Sequence, residues 1–149
     1  FFDIRGVVYI HWVPEGQTVN QHYYIEILST LRERVRRRRP ELWKNNSWML
    51  HQDNAPSHSA LSVKSFFAKH KITVLDHPPY SPDLAPCDYF LFPKVKSELK
   101  GTRFQSVETV KAKATEVLNS LTEADFQHCF QQWKIRMERC RDRQGEYIE

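Results

Sequence analysis

Apolar positions repeat with two periods along the chain, and each period predicts one kind of secondary structure. β-Branched and aromatic residues dominate positions 1–4 and 7–13, which predicts two strands joined by a turn. Residues 17–19 add a short third strand, so the chain is expected to begin with an antiparallel hairpin or meander. The apolar runs at 48–51 and 72–75 predict two further, buried strands.

The remaining apolar residues of the first half recur at helical spacing. Asn20 is a good N-cap, and the helix after it has one apolar face, made by Tyr24, Ile27, Leu28, Leu31 and Val35. Pro40 ends or interrupts this helix, and residues 41–47 are expected to form a loop. Residues 54–58 are expected to form another loop, followed by a helix over 59–70.

Prolines organise the stretch that follows the last predicted strand. Residues 76–86 are expected to form a rigid loop, because each proline ring fixes its φ angle. Pro86 suits the first position of a helix that runs to Lys100. Pro93 lies inside that helix, so we expect a kink or a restart there.

Two more helices follow, each with a recognisable first turn. Ser106 caps the first of them. Thr122 and Asp125 resemble a capping box, with Asp in place of Glu, at the start of the second. The second helix is amphipathic, and its apolar face comprises Phe126, Cys129, Phe130, Trp133, Met137 and Cys140. Gly145 is expected to end it.

The order of these elements indicates the fold class. Three antiparallel strands, two helix-linked strands and a helical end predict an α/β domain over residues 1–149, with a mixed five-stranded sheet and helices on both faces. Ligands of such sheets gather at the carboxyl ends of strands near a topological switch. The chain starts without Met inside an apolar pattern, so we expect a fragment or processed product whose first strand is truncated.

Charge is distributed unevenly along the chain. The net charge of +4 and the pI near 9.0 are modestly basic, but residues 32–39 contain Arg32, Arg34, Arg36, Arg37, Arg38 and Arg39. Such a cluster attracts phosphate backbones, and a solvated helix end is the plainer alternative. Three cysteines without a CxxC pair argue against a disulfide framework or a zinc finger. No stretch approaches the roughly 18 apolar residues of a membrane span, so no membrane partner is expected.

Three aspartates are candidate metal ligands. Asp3 and Asp53 lie at or near predicted strand ends, and Asp88 lies in the first turn of a predicted helix. Carboxylates without His or Cys partners suit Mg²⁺ or Mn²⁺, and two such ions can activate the attacking oxygen and stabilise the leaving oxygen of a phosphodiester. Aspartates at such positions also cap backbone amides. Asp83 and Asp76 are rivals for the third ligand, and the residues alone leave that choice open.

Several motifs resemble the catalytic domain of mariner transposases, in the Tc1/mariner superfamily. They cover almost the whole chain: Phe2-Asp3, Gly6-Val7-Val8-Tyr9, Gly16-Gln17-Thr18-Val19-Asn20, the stretch from His51 to His58, Tyr80-Ser81-Pro82-Asp83-Leu84, Asp88-Tyr89, Arg103-Phe104, Trp133, Arg139-Cys140 and Gly145-Glu146-Tyr147. Residues 54–87, 34 in number, separate Asp53 from Asp88. An Asp, Asp, 34-residue gap, Asp triad is characteristic of mariners, and its combination with these motifs is specific.

The resemblance implies an RNase H-like fold with a two-metal site. It implies that Asp3, Asp53 and Asp88 are the catalytic, metal-binding acids, which favours Asp88 over Asp83. The implied cofactor is two Mg²⁺ or Mn²⁺ ions. The implied activity is nicking and double-strand cleavage at transposon inverted repeats, followed by strand transfer into a TA dinucleotide. Mariners do this as a dimer in the nucleus.

The resemblance also suggests contacts with DNA and with a partner subunit. The arginines of residues 32–39 are candidates for contacts with DNA phosphates. Asn54 is a candidate for positioning a phosphate or water, and His58 for contacting DNA. Loop capping by Asn54, and packing or a local hydrogen bond by His58, are the alternatives. Trp12 lies at a hairpin tip that in mariners contacts the partner subunit, and burial in a strand is its alternative.

One part of the mariner pattern is missing from residues 1–149. Mariners carry two helix-turn-helix modules, and we expect their absence to remove specific recognition of inverted repeats while salt-sensitive, nonspecific DNA affinity remains. A catalytically silent or domesticated remnant that binds nucleic acid or dimerises is therefore the main alternative. An RNA–DNA hybrid nuclease of the same fold lacks support, because mariner motifs run through the chain. Some mariner domains are fused to a SET histone methyltransferase, of which this sequence shows no trace.

Overall fold

The structure, a computed structural model, describes residues 1–143, which form two compact units. The first unit comprises residues 11–79 together with Phe1. The second unit comprises residues 2–10 and the segment from Tyr80 onward. In the described residues, each unit has one two-stranded sheet and several helices.

Helix α1 (Gln21–Arg38) of the first unit begins where the sequence predicts. The Asn20 side chain accepts a hydrogen bond from the Tyr23 amide at 2.9 Å, which satisfies one of the unpaired amides of the first turn. The predicted apolar face is buried, at Tyr24, Ile27, Leu28, Leu31 and Val35. The cap therefore fixes where the helix starts, and the apolar stripe fixes which side faces the core.

Residues 41–47 do not form the predicted loop, because helix α2 (Pro40–Asn45) occupies most of them. Pro40 lies in the first turn of α2, where its missing N–H costs nothing and its fixed φ is already helical. It therefore starts one helix as well as ending another. Asn46 closes α2 in the left-handed conformation, with φ 47°, which asparagine tolerates better than most residues.

Two strands of the first unit pair in parallel, at both places where the sequence predicts a buried strand. β3 (Met49–His51) aligns with β4 (Thr73–Leu75), so that His51 lies opposite Leu75. The carboxyl ends of both strands are therefore at the same edge of this small sheet. The polar residues that follow β3 and β4 are brought to that edge.

The connection between β3 and β4 is helical, as a parallel pair requires. It contains α3 (Pro56–Ser59) and α4 (Leu61–Lys69). Helix α4 confirms the predicted helix over 59–70, and Val63 and Phe67 form its buried side. The predicted loop over 54–58 is wrong in its second half, because Pro56 supplies a helical φ and starts α3.

The sheet of the second unit is shorter than the sequence predicts. β1 (Phe2–Asp3) pairs antiparallel with β2 (Gly6–Val7), and Gly6 has φ +135°, which favours glycine. The strand predicted over 7–13 ends after its first residue, because β1 offers only two residues for pairing. Residues 17–19, predicted as a third strand, adopt no strand.

Three short helical segments follow the Pro-rich loop. They are a 3-10 turn (Pro82–Leu84), a π-helical turn (Cys87–Leu91) and helix α5 (Phe92–Leu99). The helix predicted over 86–100 is thus divided, and Pro93 lies in the first turn of α5, which confirms the predicted restart. π-Helical turns are rare and often mark functional positions. This one contains Asp88.

Helix α6 (Val107–Ser120) starts at its predicted cap. The Ser106 hydroxyl accepts a hydrogen bond from the Thr109 amide at 3.2 Å. Ala114 and Val117 form its buried side.

Helix α7 (Glu123–Asp142) starts with the predicted capping box. Thr122 Oγ1 accepts from the Asp125 amide at 3.2 Å, and Asp125 Oδ2 accepts from the Thr122 amide at 2.8 Å. The hydrogen bond from the Thr122 backbone is the main reason that the pKa of Asp125 lies below its usual value. Phe126 is 2% exposed and anchors the helix. The predicted stop at Gly145 lies outside the described residues.

The strands and helices together confirm a mixed α/β fold. The described strands form one antiparallel and one parallel pair, and the five-stranded sheet stays a prediction. None of the helices within residues 1–143 has the length and apolar character needed to span a bilayer.

Replacing the cap of α1 tests whether this helix depends on its first turn. The change Asn20→Ala removes the acceptor of the Tyr23 amide, so we expect a loss of about 1 kcal/mol in the free energy of unfolding. Urea denaturation followed by circular dichroism measures it. Asn20→Ser, which keeps a capping oxygen, serves as the control, and an equal loss in both variants would argue against a capping role.

Candidate active site

Asp53 lies two residues beyond β3, at the carboxyl end of the strand. Its Oδ1 atom is 2.6 Å from His58 Nδ1 and accepts a hydrogen bond from the Ala55 amide at 3.1 Å. The side chain is nevertheless 61% exposed. Asp53 is thus held by its own loop and by α3 while its carboxylate remains open to solvent.

A ring of contacts connects His58 to α1. The imidazole stacks on the Tyr24 ring, with centroids 4.1 Å apart and planes 25° from parallel. The Tyr24 hydroxyl donates to Gln52 Oε1 at 2.6 Å, and Gln52 Nε2 donates to the His58 carbonyl at 3.2 Å. Burial, and then the charge of Asp53, raises the pKa of Tyr24 above its usual value, so the phenol stays a hydrogen-bond donor.

The loop after β3 is also tied to the segment after β4. Asn54 Nδ2 donates to the His77 carbonyl at 2.8 Å, and His51 Nε2 lies 3.1 Å from His77 Nδ1. Burial, and then the neighbouring His77, lowers the pKa of His51. Asn54 and His58 therefore both make local contacts that support the loop. Their contacts with DNA stay predictions.

Asp88 is presented by the π-helical turn of the second unit. Its backbone amide donates to the Ala85 carbonyl at 2.9 Å, and the residue is exposed. Asp83, the rival for the third ligand, is 8% exposed. A cation reaches an exposed carboxylate without a rearrangement of the fold, so accessibility favours Asp88. Asp76, the weaker rival, is also exposed.

Asp3 lies in the turn between β1 and β2. Its Oδ1 atom accepts hydrogen bonds from the amides of Arg5 at 2.9 Å and Gly6 at 3.2 Å, and the residue is half-buried. The preceding Phe2 ring packs on Phe126, with centroids 5.6 Å apart. The short strand is therefore anchored directly beside the acid.

The three acids are divided between the units. Asp3 and Asp88 belong to the second unit, and Asp53 belongs to the first. Over residues 1–143, no group of three or more His, Cys, Asp or Glu side chains is arranged to hold a metal ion. A metal site shared by the three acids stays a prediction.

The arginines of residues 32–39 do not form one exposed patch. Arg36, Arg37 and Arg38 are exposed, and Arg36 pairs with Glu33 at 2.6 Å. Arg39 is 8% exposed and donates through Nη1 to the Arg38 carbonyl, because it lies at the junction of α1 and α2. The prediction that Arg39 is available to DNA is therefore wrong in this conformation.

The other two arginines of the cluster are half-buried. The Arg32 guanidinium lies over the Trp43 ring of α2, 5.0 Å from its centroid. Arg34 is half-buried as well. The exposed basic surface is therefore Arg36, Arg37 and Arg38, which we call the arginine surface.

Trp12 is 41% exposed, so its predicted alternative of burial in a strand is wrong. The residue lies in a stretch without regular structure, in which the neighbouring His11 ring nitrogen is 2.6 Å from the Tyr23 hydroxyl. A contact between Trp12 and a partner subunit stays a prediction.

Sequence reasoning missed two residues that support the candidate acids. The helical spacing places Tyr24 on the apolar face of α1 and indicates no partner for its hydroxyl. The pattern does not identify Arg136, although this residue falls ten positions after Phe126, at the edge of the apolar face of α7. A cation at such a position is the signal that could have identified it.

Comparison with known proteins places the chain in a family. Residues 10–111 match the family model described as DDE superfamily endonuclease. The chain belongs to the DDE superfamily of endonucleases. The matched region includes Asp53 and Asp88 of the candidate site. Curated relatives and solved structures confirm that the chain resembles mariner transposases.

Two curated relatives match the DDE endonuclease chain along its whole length. The mariner Mos1 transposase of Drosophila mauritiana is 35% identical over 150 residues, which cover 100% of this chain and 44% of the relative. The human histone-lysine N-methyltransferase SETMAR is 26% identical over 149 residues, which cover 100% of this chain and 22% of the relative. The chain thus spans less than half the length of either curated relative.

Solved structures of Mos1 are similar to this chain over 99% of its length. The Mos1 catalytic domain with raltegravir and Mg has a TM-score of 0.92 and 35% identity, and this chain covers 74% of it. The Mos1 paired-end complex with Mn has a TM-score of 0.92 and 34% identity, and this chain covers 43% of the Mos1 chain in it. The Mos1 strand transfer complex has a TM-score of 0.88 and 33% identity, and this chain covers 42% of the Mos1 chain in it. These matches confirm the RNase H-like DDE fold that the resemblance predicts, but not the number of strands in its sheet.

The Tyr24 hydroxyl offers a test of the contacts around Asp53. Tyr24→Phe keeps the ring that stacks on His58 but removes the donor to Gln52 Oε1, so we expect a loss of about 1 kcal/mol in the free energy of unfolding. Urea denaturation measures it. Tyr80→Phe is the matched control, because Tyr80 is 99% exposed and should show no change. A Tyr24→Phe variant as stable as the control would contradict the proposed hydrogen bond.

Proposed function

We propose that this chain is the catalytic domain of a mariner-type transposase, a metal-dependent DNA endonuclease and strand transferase. The observation that carries the proposal is the similarity of the whole chain to the Mos1 catalytic domain, with Asp3, Asp53 and Asp88 all present. The exposure of Asp53 and Asp88 supports it, because both carboxylates are open to a cation from solvent. The proposal includes the five-stranded sheet predicted from the sequence.

The cofactor we propose is two Mg²⁺ or Mn²⁺ ions held by Asp3, Asp53 and Asp88. Carboxylate oxygens are the ligands that both ions prefer, and the donors of the candidate site fit them. When bound, such ions supply Lewis-acid stabilisation of the attacking and leaving oxygens of a phosphodiester. Structures of Mos1 solved with Mg and with Mn support divalent metal use by this family.

The chain's own residues orient the acids in this proposal. His58, whose Nδ1 lies 2.6 Å from Asp53 Oδ1, limits rotation of that carboxylate. The neutral Tyr24 phenol adds no negative charge beside Asp53. Asn54 ties the same loop to the segment after β4 through the His77 carbonyl. These contacts hold Asp53 in one orientation before substrate binds, which lowers the entropy cost of reaching a reactive geometry.

The partners we propose are transposon inverted repeats, TA target DNA and a second copy of the protein, acting in the nucleus. The Mos1 paired-end and strand transfer complexes support DNA and dimeric assembly as the partners of this family. Arg36, Arg37 and Arg38 of the arginine surface are proposed to contact DNA phosphates, and Arg32 and Arg34 require side-chain movement to join them. We propose that helix-turn-helix modules, which mariners carry, supply repeat-specific recognition.

Substitution of the acids tests the catalytic role. Asp53→Asn and Asp88→Asn keep size and polarity but remove the charge that binds a cation, so we expect nicking with Mg²⁺ or Mn²⁺ to fall roughly 10³-fold or more. Conversion of supercoiled plasmid to open circles measures the rate. Asp76→Asn is the control, since Asp76 is exposed on the neighbouring loop.

Two outcomes would count against the proposed activity. Equal nicking by the wild-type chain and by Asp53→Asn would show that the cleavage comes from another source. DNA binding by the wild-type chain, without nicking in either metal, would favour the alternative of a catalytically silent remnant.

Salt dependence tests the arginine surface. The triple change Arg36→Gln, Arg37→Gln and Arg38→Gln should reduce the slope of log Kobs against log salt by about 0.9 for each duplex phosphate contact that is lost. Fluorescence anisotropy with labelled duplex DNA measures the slope. A triple change of equal charge on or next to α7, at Lys134, Arg141 and Arg143, is the control. Equal slopes in the two triple variants would contradict a specific role for the arginine surface.

A further inference from the structure

Arg136 of α7 contacts the chain on both sides of Asp88. Its Nη1 atom donates to the Asp83 carbonyl at 3.2 Å, five residues before Asp88. Its guanidinium carbon lies 4.4 Å from the centroid of the Tyr89 ring, one residue after Asp88. A single side chain therefore joins the 3-10 turn to the π-helical turn that presents the acid.

Tyr89 is held from its other end by the same helix. Its hydroxyl donates to the Cys129 carbonyl at 2.7 Å. The ring has two fixed contacts on α7, one on its face and one at its tip. Rotation of Tyr89 would break both contacts, so the backbone next to Asp88 is restrained.

The turns themselves have little stability of their own. 3-10 and π-helical turns have poorer hydrogen-bond geometry than an α-helix, and both occur in short pieces. The backbone hydrogen bonds around the two turns include i to i−3 bonds from the Leu84 amide to the Ser81 carbonyl at 3.1 Å and from the Asp88 amide to the Ala85 carbonyl at 2.9 Å. Segments of this kind need tertiary contacts to hold one conformation, and Arg136 provides them.

We propose that Arg136 is a positioning residue, which holds the turns around Asp88 in the conformation that presents this carboxylate. The proposal rests on the proposed function, in which Asp88 is one of the catalytic acids. Helix α7 supports the other acid of the second unit as well, because Phe126 and Phe130 pack on Phe2, next to Asp3. Through these contacts, α7 sets the positions of both acids.

A purely stabilising role would fit Arg136 less well. Within the described residues, its buried Nε atom has no hydrogen-bond partner, and burying an unpaired polar atom costs free energy. An apolar side chain of similar length would avoid that cost. The geometry therefore predicts that Arg136→Met folds about as stably as the wild type while the turn around Asp88 loosens.

Hydrogen exchange of the 149-residue chain without metal or DNA tests the restraint directly. In Arg136→Met, the amides of Leu84, Ala85, Asp88 and Tyr89 should exchange at least roughly ten-fold faster, while amides of β3 and β4 keep their rates. The melting temperature should move by less than about 4 °C. Arg139→Met is the matched control, since Arg139 is exposed on the same helix. Unchanged exchange at these four amides would overturn the proposal.

Steady-state nicking with Mn²⁺ tests the consequence for the reaction. Arg136→Met should lower kcat by about ten-fold to a hundred-fold with little change in KM for DNA, because a small misplacement of a reacting group has that effect. Arg136→Lys keeps a cation that can reach the Asp83 carbonyl and the Tyr89 ring, and should recover most of kcat. A wild-type kcat in Arg136→Met, with Asp88→Asn inactive, would overturn the positioning role alone. Nicking by Asp88→Asn at the wild-type rate would instead refute the proposed function, and the exchange result would then decide whether Arg136 restrains the turn.

Discussion

A carboxylate that is to bind a cation has to be exposed to solvent and yet keep one orientation, and the contacts around the candidate acids address both requirements. An exposed carboxylate on a loose loop would lose much of its binding free energy in ordering the loop. Here Asp53 is fixed by His58 and the Ala55 amide, and Asp3 by the amides of Arg5 and Gly6. In both cases the restraint acts through one carboxylate oxygen. It comes from residues within a few positions of the acid.

Longer-range contacts add a second level of restraint in each unit. Tyr24 of α1 stacks on His58, and Arg136 of α7 contacts the turns around Asp88. Both residues are long, and each combines an extended apolar contact with a polar atom at its end. One long helix in each unit thus has an apolar face for the core and one polar group that reaches residues close to a candidate acid. The same helices stabilise the fold and orient the site.

Local chemistry explains which features the sequence predicts well. The caps at Asn20 and Thr122, the buried stripe of α1 and the restart at Pro93 all depend on residues close in sequence, and all are confirmed. Helix α2 was missed because its polar residues show no helical period. The π-helical turn was missed because nothing local marks the extra residue in its turn. The contact of Arg136 with Asp83 spans 53 positions, so only tertiary structure reveals it.

The resemblance identified the candidate acids but not what surrounds them. It selected Asp88 over Asp83, and the burial of Asp83 agrees with that choice. It did not anticipate that Arg39 is buried, because Pro40 predicts the end of α1 but residues 41–47 give no sign of the second helix that follows. Family motifs thus identify candidate positions for the chemistry, whereas burial decides which charged side chains are available.

The parallel pairing of β3 and β4 restricts the number of residues that can separate Asp53 from Asp88. Between Asp53 and the 3-10 turn, the chain forms α3, α4 and β4 in succession, and the backbone of each is hydrogen-bonded. An insertion within β4 would reverse which side chains face the core, and one within α4 would rotate its buried face by about 100°. The longest stretch of the interval outside these elements is residues 76–81, where an extra residue would disturb the fold least. Most of the interval between Asp53 and Asp88 therefore belongs to helices and strands whose length cannot change without disturbing the fold.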